Sequence, residues 1–169
     1  MPDLLLTDAV LSGDGRYRYW LGRHWSYADP IATFIMLNPS TADASADDPT
    51  IRRCIGFARS WGMGGIVVLN LYALRATDPR ELWKVTTAEA VGPDNDRHLE
   101  DWARNARLWG TPLIAAWGAN AKPRRVKEVL ALPGMHRLNA LGVTKAGQPR
   151  HPLYLRRDAG LLPWEPTDA

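Results

Sequence analysis

The feature of this sequence that most limits its fold is a change of pattern at residue 31. Before that point, residues 4–28 contain two alternating stretches separated by Ser12-Gly13-Asp14-Gly15, which is typical of a β-hairpin. After it, apolar runs alternate with segments of helical periodicity, as in parallel strands that are covered by helices. The order predicts an N-terminal β-hairpin at one edge of a sheet, followed by an α/β core.

The α/β core is predicted as a three-layer sandwich with a four-stranded, mainly parallel sheet. Asp48 followed by Pro49 is a typical helix start, with Asp as the cap and Pro in the first turn. The predicted strands are Ile31–Leu37, Gly65–Leu74, Leu113–Trp117 and about Arg137–Val143, and the predicted helices start at Asp48-Pro49 and cover Asp96–Trp109 and Pro123–Leu132.

The chain is predicted to form a single α/β domain over residues 1–169, with the hairpin in 1–30, the sheet core in 31–155 and a C-terminal tail in 156–169. The only cysteine, Cys54, excludes an intramolecular disulfide and thiolate-rich metal sites. No secretory signal and no membrane span can be recognised, so we expect a cytoplasmic protein with no membrane partner. We expect no metal ion and no cofactor.

Candidate site residues follow the predicted strands, because open parallel sheets bind ligands beyond the carboxyl ends of their strands. The amide of Asn38 can hold a water or a ligand amide, or it can belong to a structural turn. The amide of Asn70 can bind an amide-like ligand, or it can belong to a hydrogen-bond network in the core. His151 is a candidate donor or an ordinary loop histidine. The predicted site residues are Asn38, Pro39 and Ser40 after the first strand, Asn70 and Arg75 in the second, Trp117 at the third, and His151 after the fourth.

The basic residues are skewed towards arginine, with 17 Arg among the 21 Lys and Arg residues. Arg favours bidentate recognition of phosphate and carboxylate, although a GC-rich coding sequence explains the same count. Arg156 and Arg157 lie close to His151 in sequence and are candidate phosphate contacts or a solvated pair. There is no phosphate-binding loop, serine elbow or His-Glu-x-x-His motif, which disfavours nucleotide hydrolysis by a P-loop, ester hydrolysis and zinc proteolysis.

Four blocks resemble a family of uncharacterised bacterial and phage proteins, numbered 1643 among domains of unknown function. The resemblance covers nearly the whole chain and carries no activity with it. The blocks are Leu37-Asn38-Pro39-Ser40-Thr41-Ala42-Asp43, Asp48-Pro49-Thr50-Ile51-Arg52-Arg53-Cys54, the stretch from Asn70 to Pro79, and Val91-Gly92-Pro93-Asp94-Asn95-Asp96.

The order of motifs also resembles that of the uracil-DNA glycosylase superfamily, which has a four-stranded parallel sheet. Asn38-Pro39 is similar to that superfamily's water-positioning motif, and Val68-Leu69-Asn70 to the strand whose Asn reads the base edge. Trp117-Gly118 is similar to a Leu-Trp-Gly strand end. His151-Pro152 looks like a His-Pro-Ser loop, with Leu153 in place of the Ser.

This resemblance implies that Asn38 holds the attacking water, that Asn70 reads the base and that His151 donates to the leaving base. The expected function is binding of a nucleobase in DNA or in a nucleotide, with hydrolysis of its N-glycosidic bond. Two alternatives stay open: a non-catalytic module for nucleic acid or nucleotides, and a phage-type enzyme of DNA base modification.

Overall fold

The computed structural model describes residues 6–40 and 47–167. Leu4 and Leu5 of the predicted hairpin, Thr41 to Asp43 of the first family block and the end of the predicted tail lie outside these ranges. The strands are β1 (Leu6–Leu11), β2 (Arg18–His24), β3 (Ile31–Met36), β4 (Gly65–Asn70), β5 (Leu113–Ala115), β6 (Leu138–Ala140) and β7 (Leu162–Trp164). The helices are α1 (Pro49–Ser60), α2 (Thr87–Val91), α3 (Asn95–Trp109) and α4 (Pro123–Leu130), with 3₁₀ helices at Pro79–Lys84 and Pro152–Tyr154.

The described residues form one seven-stranded sheet, larger than the predicted four-stranded sheet. Its order is β1-β2-β4-β3-β5-β6-β7. The four predicted strands are its parallel centre, while the hairpin and β7 add antiparallel strands at the two edges. The sequence prediction missed β7 because three residues, one of them Pro163, carry too little periodicity to mark a strand.

Helices cover both faces of the sheet, in agreement with the predicted layers. On one face α1 buries Ile51, Cys54 and Ile55 against β3 and β4. On the other face Leu99 of α3 and Val126 of α4 belong to a second apolar cluster. The residues of β4 are therefore all buried, which explains its unbroken apolar sequence.

The second predicted strand, Gly65–Leu74, leaves the sheet earlier than expected. β4 ends at Asn70, and side chains from two helices take the backbone carbonyls that follow. Asn95 Nδ2 donates to the carbonyl oxygens of Asn70 and Leu71 at 3.0 and 3.2 Å, and Arg125 Nε donates to that of Leu71 at 2.8 Å. These buried hydrogen bonds hold the end of β4 in place.

The predicted start of α1 is confirmed. Pro49 opens the helix, and the Asp48 carboxylate caps it by accepting a hydrogen bond from the Ile51 N–H at 2.8 Å. This cap places the first turn of α1 beside the carboxyl ends of β3 and β4. None of the helices among the described residues is long and apolar enough to cross a membrane.

Candidate ligand-binding site

A cavity of about 500 Å³ lies at the carboxyl ends of the parallel strands, on the face of the sheet that α1 covers. Its walls come from the ends of β3, β4 and β5, from the first turn of α1, and from the loop that carries His151. The position agrees with the site expected for an open parallel sheet. Five predicted residues besides His151 line it: Asn38, Pro39, Ser40, Asn70 and Trp117.

Asn38 is held in one orientation by the loop after β4. Its Nδ2 donates to the carbonyl oxygens of Ala76 at 2.9 Å and of Pro39 at 3.1 Å. Both amide hydrogens are therefore used, and Oδ1 remains an acceptor without a donor among the described residues. An amide oriented in this way can accept a hydrogen bond from a water molecule.

Asn70 is 2% exposed, at the last position of β4. Its backbone carbonyl is bound by Asn95, but no described group makes a hydrogen bond to its side-chain amide. The amide atoms of Asn70 are not among the fully enclosed polar atoms that lack a partner, so they keep some contact with the cavity that the residue lines. A ligand with an amide-like edge in this cavity could therefore both donate to and accept from the Asn70 amide.

His151 is half-buried and begins the 3₁₀ helix Pro152–Tyr154. Its Nδ1 accepts a hydrogen bond from the Leu153 N–H at 3.2 Å. The neutral ring therefore carries its proton on Nε2, where it can donate. Burial lowers the pKa of His151, and the Asp48 carboxylate opposes that shift only in part, so the neutral form is favoured.

Ser40 and Trp117 line the cavity but are committed to partners in the protein. Ser40 Oγ donates to Asp48 Oδ2 at 3.2 Å. The Trp117 indole is 1% exposed, packs edge-on against Trp164 at 5.2 Å and donates to Gln148 Oε1 at 3.0 Å. The predicted role of Trp117 in contacting a ligand is thus limited to the part of the residue that forms the cavity wall.

The three predicted arginines lie outside the cavity. Arg75 donates to the Gly15 carbonyl oxygen at 3.0 Å and supports the hairpin. Arg156 is exposed and pairs with Asp158 at 3.1 Å. Arg157 lines a different depression, on the outer side of α1. Arg156 and Arg157 follow the 3₁₀ helix Pro152–Tyr154 and, although they are near His151 in sequence, neither lines the cavity.

The structure adds Arg18 to the site, a residue that the sequence analysis did not select. It lies on β2, is 5% exposed and lines the cavity. In the alternating stretch Arg16-Tyr17-Arg18-Tyr19, the arginines look like a solvent face. β2 is in fact an inner strand between β1 and β4, so this reasoning was bound to miss a buried charge there.

Other polar residues complete the walls: Asp48 and Thr50 at the start of α1, and Arg150 and Tyr154 at the exposed rim. The described residues contain no group of three or more His, Cys, Asp or Glu side chains that could hold a metal ion. The arrangement is rich in amide, imidazole and guanidinium groups, which recognise polar and anionic organic ligands.

The fold and the cavity define an α/β protein whose candidate site lies at the carboxyl edge of its parallel strands. The chain belongs to the family described as protein of unknown function (DUF1643), whose model matches residues 18–153. The match begins at Arg18 and includes Asn38, Asn70 and His151. No curated protein matches the chain.

Proposed function

We propose that the cavity binds a nucleobase, carried by DNA or by a nucleotide, and that Asn38 and His151 hydrolyse its N-glycosidic bond. The observation that carries this proposal is the side-chain amide of Asn70, which is almost fully buried and has no partner among the described residues. It lines the same cavity as the oriented amide of Asn38 and the neutral imidazole of His151. The similarity of these motifs to the uracil-DNA glycosylase superfamily, in a parallel sheet, supports the same assignment.

Asn70 would recognise the base. An amide side chain presents one acceptor and two donor hydrogens, and the Watson–Crick edge of a nucleobase offers matching groups. The rigid end of β4, held by Asn95, would fix the amide in the position of the base edge. Rigid placement of this kind favours selection of one base over another.

Hydrolysis would proceed by attack of water on C1′ of the sugar. The C1′–N bond breaks, its electron pair leaves with the base, and the proton lost by the water ends on the departing base nitrogen. Asn38 Oδ1 would accept a hydrogen bond from the attacking water, because its Nδ2 is already bound by two carbonyls. His151 Nε2–H would donate to the base oxygen on which negative charge develops.

The test is base release from single- and double-stranded oligonucleotides that contain uracil, mismatched thymine or hydroxymethyluracil, and from free nucleotides. Abasic sites are scored after alkali, and free base is separated by chromatography. We expect Asn38→Ala and His151→Ala each to lower the rate by about 10²- to 10³-fold, as for loss of one oriented donor or acceptor in a reaction site.

Asn105→Ala and His136→Ala are matched controls, because they remove the same side-chain types at positions that do not line the cavity. Base release that is unchanged in both site variants would refute the catalytic assignment. Nucleotide binding without release of any base would favour the non-catalytic binding module. A product with a changed base substituent would favour DNA base modification.

A further inference from the structure

Arg18 is a buried cation without a counter-ion among the residues that the structure describes. The residue is 5% exposed, and its guanidinium makes no hydrogen bond or ion pair with the described residues. Its Nε is fully buried and has no hydrogen-bond acceptor. Buried arginines are ordinarily paired, because an uncompensated charge in the protein interior is costly.

Two other buried arginines of the same chain are paired in the ordinary way. Arg23 Nε binds Asp47 Oδ1 at 2.8 Å, and Arg125 binds Asp96 Oδ1 and the Leu71 carbonyl. Among these three buried arginines, Arg18 is therefore the one whose guanidinium has no partner in the described part of the chain. Of these three arginines, only Arg18 lines the cavity.

The surroundings of Arg18 favour an anion. Burial, followed by the charges of Arg75 and Arg23, lowers the pKa of Arg18 to about 10, against a partly opposing effect of Asp48. Asp48 is not within ion-pair distance of Arg18, and its two oxygens accept from the Ile51 N–H and from Ser40 Oγ. An anionic group in the cavity would relieve the cost of the unpaired charge.

The position of Arg18 also limits how the anion is attached to the ligand. Arg18 and Asn70 are both nearly inaccessible, whereas Arg150 and Tyr154 form the exposed rim. A terminal phosphate has one substituent and can enter such a recess with the ligand behind it. An internal phosphodiester has two chain continuations, and both would have to leave through the rim.

We infer that Arg18 binds the terminal phosphate of a nucleoside monophosphate enclosed in this cavity, so that the substrate is a free nucleotide rather than a base within a polynucleotide. The base part of this inference rests on the proposed function, whereas the phosphate part stands on Arg18 alone. A cavity of about 500 Å³ lies within the range of ~300 to 1,000 Å³ that small-molecule sites occupy. The planar guanidinium suits bidentate contact with phosphate oxygens.

The test is calorimetric titration of the full chain with nucleoside monophosphates, the corresponding nucleosides, ribose 5-phosphate and a short oligonucleotide with no terminal phosphate. We expect at least one monophosphate to bind about 10- to 100-fold more tightly than its nucleoside, as for charge-assisted hydrogen bonds. Arg18→Met should remove this difference, and Arg18→Lys should keep part of it. Arg16→Met is the control, since Arg16 is exposed and pairs with Glu89 outside the cavity.

Each other outcome separates this inference from the proposed function. An oligonucleotide without a terminal phosphate that binds the parent protein as tightly as any monophosphate, and binds Arg18→Met equally well, would overturn the inference and leave the nucleobase proposal intact. Binding of ribose 5-phosphate that needs Arg18, with no gain from any base, would support the phosphate site and contradict the nucleobase proposal. Monophosphates that bind Arg18→Met and Arg18→Lys as tightly as the parent would overturn the phosphate site.

Discussion

Replacing Arg18 by Met should stabilise the folded protein without ligand. The free energy follows from the pKa of Arg18, which burial lowers to about 10; the shift from the usual value of an arginine corresponds to about 3 kcal/mol against the charged form in the folded state. Because the pKa of Arg18 is lower in the folded state than in the unfolded chain, this cost is fully present at neutral pH and disappears only as the pH rises above about 10, towards the pKa of the unfolded chain. Arg18→Met removes the charge and keeps an apolar stem of similar length.

We expect Arg18→Met to raise the free energy of unfolding by about 1 to 3 kcal/mol, since water that enters the cavity relieves part of the cost of the buried charge in the parent protein. This corresponds to an increase in Tm of roughly 2 to 4 °C for each kcal/mol. Arg125→Met is the matched comparison, because Arg125 is equally buried but paired with Asp96 and a backbone carbonyl. It should lower the free energy of unfolding by about 2 to 4 kcal/mol.

The assay is urea unfolding followed by tryptophan fluorescence, with thermal melts by circular dichroism. Opposite signs for the two variants would support the reasoning. If Arg18→Met destabilises the protein as much as Arg125→Met does, then the Arg18 guanidinium has a partner in the empty protein. The argument for an unpaired charge, and for the phosphate site that depends on it, would then be refuted.

Three further predictions concern the rest of the chain. Burial lowers the pKa of His24, His98 and His151 in the folded state, so the unfolded chain binds protons at a higher pH than the folded protein does. The free energy of unfolding should therefore fall as the pH drops below about 6.5. Thermal melts at about pH 7.5 and about pH 5.5 measure the effect, and an unchanged Tm would contradict the prediction. Asn95→Ala should lower the free energy of unfolding in urea by about 1 to 3 kcal/mol, because the Asn70 carbonyl loses the Asn95 donor and the Leu71 carbonyl keeps only Arg125. A change within error would show that water replaces the Asn95 amide. Burial raises the pKa of the Cys54 thiol, which makes the thiol unreactive in the folded protein. A thiol reagent should therefore label Cys54 in urea and leave the native protein unlabelled. Rapid labelling of the native protein would mean that α1 opens readily.

Local chemistry made α1 and the parallel centre of the sheet predictable. Asp48-Pro49 specifies a helix start by itself, because the cap and the fixed φ of proline act within one turn. The apolar run of β4 reports burial on both faces, and that burial is what places a strand in the centre of an α/β sheet. The strand β7 was missed because Pro163 interrupts a stretch of only three residues, and the helix α2 because its five residues span little more than one helical turn.

The candidate site was predictable in part, because the ends of parallel strands meet at one edge whatever the details of the fold. Asn38, Asn70 and His151 were chosen by that rule, and all three line one cavity. The hydrogen bonds from Asn38 to the Ala76 carbonyl and from Asn95 to the Asn70 carbonyl could not be predicted, since the two residues of each pair are far apart in sequence.

The sequence by itself therefore determined the helix starts, the central strands and the edge of the sheet where polar groups collect, because these depend on short-range patterns. The tertiary structure alone decided which charges are buried and whether they are paired. Arg18, Arg75 and Arg156 are the same residue type, yet one is buried in the cavity wall, one supports the hairpin and one is at the surface. Burial and pairing depend on which strands become neighbours, and non-local contacts decide that.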